Sequence, residues 1–135
     1  MKKILATFIL IFTSIYSMAQ SPEEIVQQQL DLYNNKDLQG FMSLFSEDAT
    51  LINQSDGKVL ATGKSEVEKL YSNLFQKSPN LYSELKNRMV LGNTIIDHEN
   101  ITGRLGKPEA IELIVMYEVR SQQIFRCTVI RGELK

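Results

Sequence analysis

The sequence predicts an α+β fold in which helices come first and a long curved antiparallel sheet follows. Three observations carry this prediction. Apolar residues recur at helical spacing in three segments before Pro79. Beyond Pro79 the period changes, and four β-rich runs follow one another. Their connections are short and polar, which makes consecutive strands antiparallel neighbours in a meander.

The first element precedes the fold. Lys2 and Lys3 lead into the uncharged apolar run "ILATFILIFTSIY", and "SMAQ" follows with small residues at Ser17 and Ala19. A basic start, an apolar stretch and a small-residue cleavage site make a secretory signal peptide over residues 1–19. The run is shorter than the roughly 20 residues that a spanning helix needs. No cysteine lies nearby for lipid attachment. The mature chain is therefore expected to start at Gln20, to be secreted or periplasmic, and to have no membrane association after cleavage. Losing Lys2 and Lys3 takes the formal net charge from −1 to −3. With no basic run either, nucleic acid is not an expected partner.

Residues 20–135 contain no internal repeat, low-complexity tract or linker and fit one domain. In "SPEEIVQQQLDLYNN", Ser21 is the N-cap, Pro22 the first helical residue and Glu24 the partner in a capping box. Ile25, Gln29 and Leu32 share one side of this helix, with Val26, Leu30 and Tyr33 beside them. Asp37 caps a second helix, "LQGFMSLF". "DATLIN" and "GKVLATG" predict two short strands. A third helix, "SEVEKLYSNLFQK", is expected to use Ser65 as cap and Glu68 as its box partner, and to bury Val67, Leu70, Tyr71, Leu74 and Phe75. The runs "LYSELKNRMVL", "TIIDHENIT", "AIELIVMYEVR" and "QQIFRCTVIR" then predict the four long strands. Cys127 is the sole cysteine, so no disulfide forms within the chain. Its apolar alternating setting predicts a buried structural thiol.

The segments "NNKDLQGFMSLFSEDATLIN", "GKVLATGKSEVEKLYSNLF" and "MYEVRSQQIFRCTVI" together resemble the nuclear transport factor 2-like superfamily, also called SnoaL-like or ketosteroid-isomerase-like. The resemblance spans essentially all of residues 20–135. It implies a cone-shaped domain whose cavity is lined by the first and third helices and the inner face of the sheet, and a homodimer packed through the outer face. The ligand it implies is a small apolar or mixed-polarity molecule, with no cofactor. The implied pocket residues are Gln29, Tyr33, Leu51, Asn53 and Met116. Where ketosteroid isomerases of this fold carry a tyrosine, a general-base aspartate and a protonated aspartate, this chain has Gln29, Asn53 and Met116. Classical ketosteroid isomerisation is therefore not expected. Limonene-epoxide-hydrolase-like members place asparagine near Asn53, but their arginine and aspartate fall at Glu99 and Ile101.

The stretch "IIDHENI" carries the remaining chemistry. Strand alternation turns Asp97 and Glu99 to one face and His98 to the other. The three cannot converge on a metal without a bulge, and no metal site is expected. Asp97 and Glu99 are the candidate catalytic pair, because two carboxylates about 7 Å apart on one strand face repel each other. Partial burial then raises at least one pKa. If both face the cavity, Asp97→Asn should be at least as stable as the wild type at pH 7. The alternative places both at an open rim, solvated or paired with Arg104, Arg120 or Arg126. Three functions remain open: a binding protein without catalysis, an isomerase, cyclase or hydrolase that uses Asp97 or Glu99 with Asn53 or Gln29 as polarising donor, or an interaction module working through the sheet.

Overall fold

The computed structural model describes residues 18–132. All but Met18 and Ala19 of the expected signal segment lies outside the described residues. Helix α1 (Pro22–Asn35) opens with the predicted capping box, in which Ser21 and Glu24 each satisfy the other's backbone N–H. It buries Ile25, Val26, Gln29, Leu30 and Tyr33. Lys36 stops it in the left-handed conformation, and Asp37 caps α2 (Leu38–Ser43) through the Gly40 N–H.

Two boundaries differ from the prediction, and in both cases strand pairing explains the difference. The helix expected to run through Phe45 ends at Ser43, and strand β1 (Phe45–Asn53) starts at Phe45. The Ile124 N–H donates to the Leu44 carbonyl at 2.8 Å, and Phe45 pairs with Ile124. A long-range strand contact thus captures residues whose local period is helical. After β2 (Lys58–Thr62), helix α3 (Lys64–Lys77) is capped by Gly63 rather than Ser65. The Gly63 N–H is held by the Ala49 carbonyl at 2.7 Å, at a φ of 88°. The helix therefore starts immediately after β2, with Ser65 inside its first turn. Glu66, not Glu68, turns back, and it accepts the Thr62 N–H.

Strands β3 (Tyr82–Leu91), β4 (Thr94–Thr102), β5 (Ile111–Arg120) and β6 (Gln123–Arg131) form the expected antiparallel meander. The complete six-stranded sheet runs β2-β1-β6-β5-β4-β3, and β1 joins β6 in parallel. That single parallel pairing was not in the prediction, because no local signal specifies the neighbour of β1. Bulges after Leu51, Leu85 and Glu118 add twist and curvature. The sheet wraps the helices as the cone of the nuclear transport factor 2-like fold, with α1 and α3 over its concave side.

The concave core is aromatic between the helices. Tyr33 stands edge-on to Phe75 with centroids 5.5 Å apart, and Phe41 meets Tyr71 at 4.5 Å. Aromatic contacts of this kind add to the burial of large rings. From the sheet, Ile95, Asp97, Glu99 and Ile101 of β4 face inward, as do Leu113, Val115, Tyr117 and Val119 of β5. Met116, expected in the pocket, therefore lies on the outer face, where it pairs with Ile96 and Thr128. Strand parity is the reason: a placement one residue off moves a side chain through the sheet. Cys127 is buried, and burial pushes its thiol pKa upward. Among the described residues, no helix is long and apolar enough to cross a membrane, and no group of His, Cys, Asp and Glu is placed to hold a metal ion.

Candidate functional site

A cavity of about 90 Å³ lies between α1, α3 and the concave sheet face. It is smaller than the ~150 Å³ apolar cavity that admits benzene. Leu30, Leu51, Leu70, Leu74 and Val115 contribute apolar wall. Its polar groups are Gln29, Tyr33, Tyr71, Glu99 and Tyr117, with Arg104 and Arg131 also on the lining.

Glu99 is positioned through a chain of contacts that begins at the end of α1. The Asn34 carboxamide accepts the Ser83 N–H at 2.8 Å and donates to the Ser83 carbonyl at 2.9 Å, pinning the start of β3 to the helix. The Ser83 hydroxyl then donates to Glu99 Oε2 at 2.7 Å. Across the sheet, the Tyr117 hydroxyl donates to Glu99 Oε1 at 3.2 Å. Only 4 % of Glu99 is exposed. Burial raises its pKa above the ordinary carboxylate value, opposed by the Ser83 hydrogen bond and reinforced by the nearby Asp97 charge. Burial also raises the phenol pKa values of Tyr33, Tyr71 and Tyr117, which keeps these hydroxyls protonated donors at neutral pH.

Asp97 shares the inward face with Glu99, as strand alternation predicted, but it neither lines the cavity nor reaches a rim. It is completely buried, and Arg88 clamps both its oxygens at 2.7 Å through Nε and Nη2. The third arm of the guanidinium donates to Gln27 of α1 at 2.9 Å. The β3 bulge makes this pairing possible. Leu85 faces Glu99, but one extra residue, Lys86, shifts the register so that Arg88 rather than Asn87 opposes Asp97. Asp97 is thus withdrawn as an acid/base candidate. The rim alternative fails for both carboxylates, since both are buried, and Arg120 and Arg126 pair elsewhere, with Asp48 and Glu118.

Of the expected pocket residues, Gln29, Tyr33 and Leu51 line the cavity. Asn53 does not: β1 runs out there, and the Ser55 hydroxyl captures its side-chain oxygen at 2.9 Å. Gln29 stands apart from the other polar groups. It is 3 % exposed, and its Oε1 is shielded from solvent without a hydrogen-bond partner among the described residues. His98 faces outward and contacts Glu112. Sequence reasoning did not find Ser83, Arg88, Tyr117 or Arg131. Tyr117 was within reach, because it has the parity of Val115 and Val119 in an alternating run. Arg88 depends on a bulge that "SELKNRM" does not announce.

The sequence profile of the SnoaL-like domain family matches residues 26–127. No curated protein matches the chain. An uncharacterized cystatin-fold protein from Novosphingobium aromaticivorans superposes with a TM-score of 0.76 at 23 % identity, over 83 % of this chain and 99 % of that one. A nuclear transport factor 2-like protein of unknown function from Cytophaga hutchinsonii gives 0.72 at 12 % identity, over 86 % and 94 %. A hypothetical protein with a ketosteroid isomerase-like fold from Catenulispora acidiphila, in complex with trimethylamine, gives 0.70 at 16 % identity, over 84 % and 88 %.

Proposed function

We propose that this chain, which belongs to the SnoaL-like domain family, is an exported binding protein for a small molecule of mixed polarity. The observation that carries this reading is Gln29, a residue of the cavity lining whose buried Oε1 has no hydrogen-bond partner among the described residues. An unsatisfied buried acceptor costs on the order of 1–3 kcal/mol. A ligand that donates a hydrogen bond there recovers that cost and leaves its carbon skeleton on the leucine wall. The signal-like residues 1–19 support export, and the purified mature protein is expected to begin at Gln20 on N-terminal sequencing. A homodimer through the outer face belongs to the same reading. The neighbouring outward residues Met89, Ile96 and Met116, with Ile114 and Ile130 in the next row, supply an apolar strip for it.

Native mass spectrometry of protein purified from its source cells tests the binding function. The wild type should carry a small bound mass. Gln29→Leu should lose that mass while the empty variant gains about 1–2 kcal/mol of stability in urea, because the orphaned acceptor is gone. A variant that retains the ligand, or a wild type that carries none, overturns the reading.

A second reading, acid/base catalysis on the bound molecule, is favoured by one observation. Glu99 is a cavity carboxyl with a raised pKa, held by two hydroxyls. Classical ketosteroid isomerisation is not part of either reading, since it needs two carboxyls in the cavity and, among the described residues, Glu99 is the only one on this lining.

A further inference from the structure

We propose that the cavity is built for a small organic anion, with a carboxylate held by Arg104 and Arg131 at the mouth and a hydroxyl donated to Gln29 Oε1 at the inner end. The inference rests on the small-molecule reading above and narrows it to a ligand class.

The first support is the distribution of charge. Arg104 and Arg131 both line the cavity, yet neither forms a salt bridge among the described residues, whereas Arg88, Arg120 and Arg126 all do. Two arginines on the lining of one small cavity can offer the planar donor forks that match a carboxylate. Arg131 is exposed, Arg104 half-buried and Glu99 enclosed, so the positive residues lie nearer the mouth than the buried carboxyl. An anionic group at the mouth meets the arginines and avoids Glu99.

The second support is how Arg104 is held. It sits between Gly103 and Leu105, and both of these have left-handed backbone (φ 68° and 54°). Gly103 allows no side chain, because a Cβ there would lie 2.1 Å from the Asn80 carbonyl oxygen. For leucine the left-handed conformation is strained. The buried Ser78 hydroxyl fixes it by accepting the Leu105 N–H at 2.8 Å. This segment keeps a costly geometry beside a cavity arginine.

The third support is the polarity of the inner end. Gln29 Oε1 has no donor among the described residues, while the oxygens of Glu99 already receive the Ser83 and Tyr117 hydroxyls. The unmet demand is for a donor, which a hydroxyl supplies. The volume of about 90 Å³ limits the connecting stem to a few carbons.

Titration of the mature protein with 5-hydroxypentanoate and its uncharged near-isostere 5-hydroxypentanamide, followed by amide NMR shifts at pH 7 and low salt, tests this. The acid should bind at least about tenfold more tightly than the amide, with a preference that shrinks as salt is added. Arg104→Gln combined with Arg131→Gln should abolish the preference for the acid over the amide. Equal binding of acid and amide, or a preference that survives both substitutions, overturns the anion site and leaves the small-molecule reading standing. Binding of neither probe at the cavity overturns the anion site too, while the small-molecule reading stands or falls on the native mass spectrum.

Discussion

Asp97→Asn is expected to lose about 3–5 kcal/mol of stability at pH 7 in urea unfolding, the cost of breaking a buried ion pair from one side. Asp97 is wholly enclosed and Arg88 only 10 % exposed. Asparagine can accept one of the two guanidinium hydrogen bonds, but its amide hydrogens would face the other, and the charge of Arg88 would remain unpaired. Arg88→Met should cost a similar amount, because it strands the carboxylate. The double variant Asp97→Leu with Arg88→Met should recover much of the loss, since neither charge is then left buried alone. This expectation reverses the one drawn from sequence, in which mutual repulsion with Glu99 made Asp97→Asn harmless. An Asp97→Asn protein as stable as the wild type would show that the clamp contributes nothing and that repulsion dominates after all.

That reversal marks the boundary of what the sequence made legible. Elements specified by local chemistry were readable: the Ser21–Glu24 box, the Asp37 cap, the stop near Pro79, and the alternation that turns Asp97 and Glu99 inward and His98 outward. Features set by pairing over long distance were not. The parallel partner of β1 determines where α2 ends, and nothing near Phe45 announces it. The Lys86 bulge determines that Asp97 meets Arg88, while Glu99, two residues away, is left to two hydroxyls and the cavity. Identical side-chain chemistry on one strand face was thus divided into a structural ion pair and a candidate site by one inserted residue. Met116 failed for a related reason: family likeness placed it to within one residue, and on a strand one residue is the opposite face.

Glu99 should govern the pH dependence of stability in the carboxyl range. Its folded pKa is raised, chiefly by burial, so the folded state holds a proton on Glu99 that the unfolded chain releases near the ordinary carboxyl value of 4.5. The stabilising contribution of the protonated form is complete below the unfolded pKa. It is lost as pH rises through the raised folded value, and the loss grows by about 1.4 kcal/mol for every tenfold difference between the folded and unfolded proton affinities. Glu99→Gln cannot ionise, so its stability should not carry this decline, and at pH 7 it should equal or exceed the wild type. Tyr117→Phe tests the opposing influence. Removing a hydroxyl that donates to the carboxylate at 3.2 Å should raise the Glu99 pKa further and move the decline to higher pH. Urea unfolding between about pH 4 and 8, with carbon NMR of the Glu99 carboxyl as a direct titration, separates these effects. If Glu99→Gln proves markedly less stable than the wild type at pH 7, the ionised carboxylate is the favoured form, and the Ser83 and Tyr117 hydroxyls outweigh burial. Glu99 would then be a fixed anion in the cavity wall rather than a group poised to exchange a proton with a ligand, and the catalytic reading would lose its support.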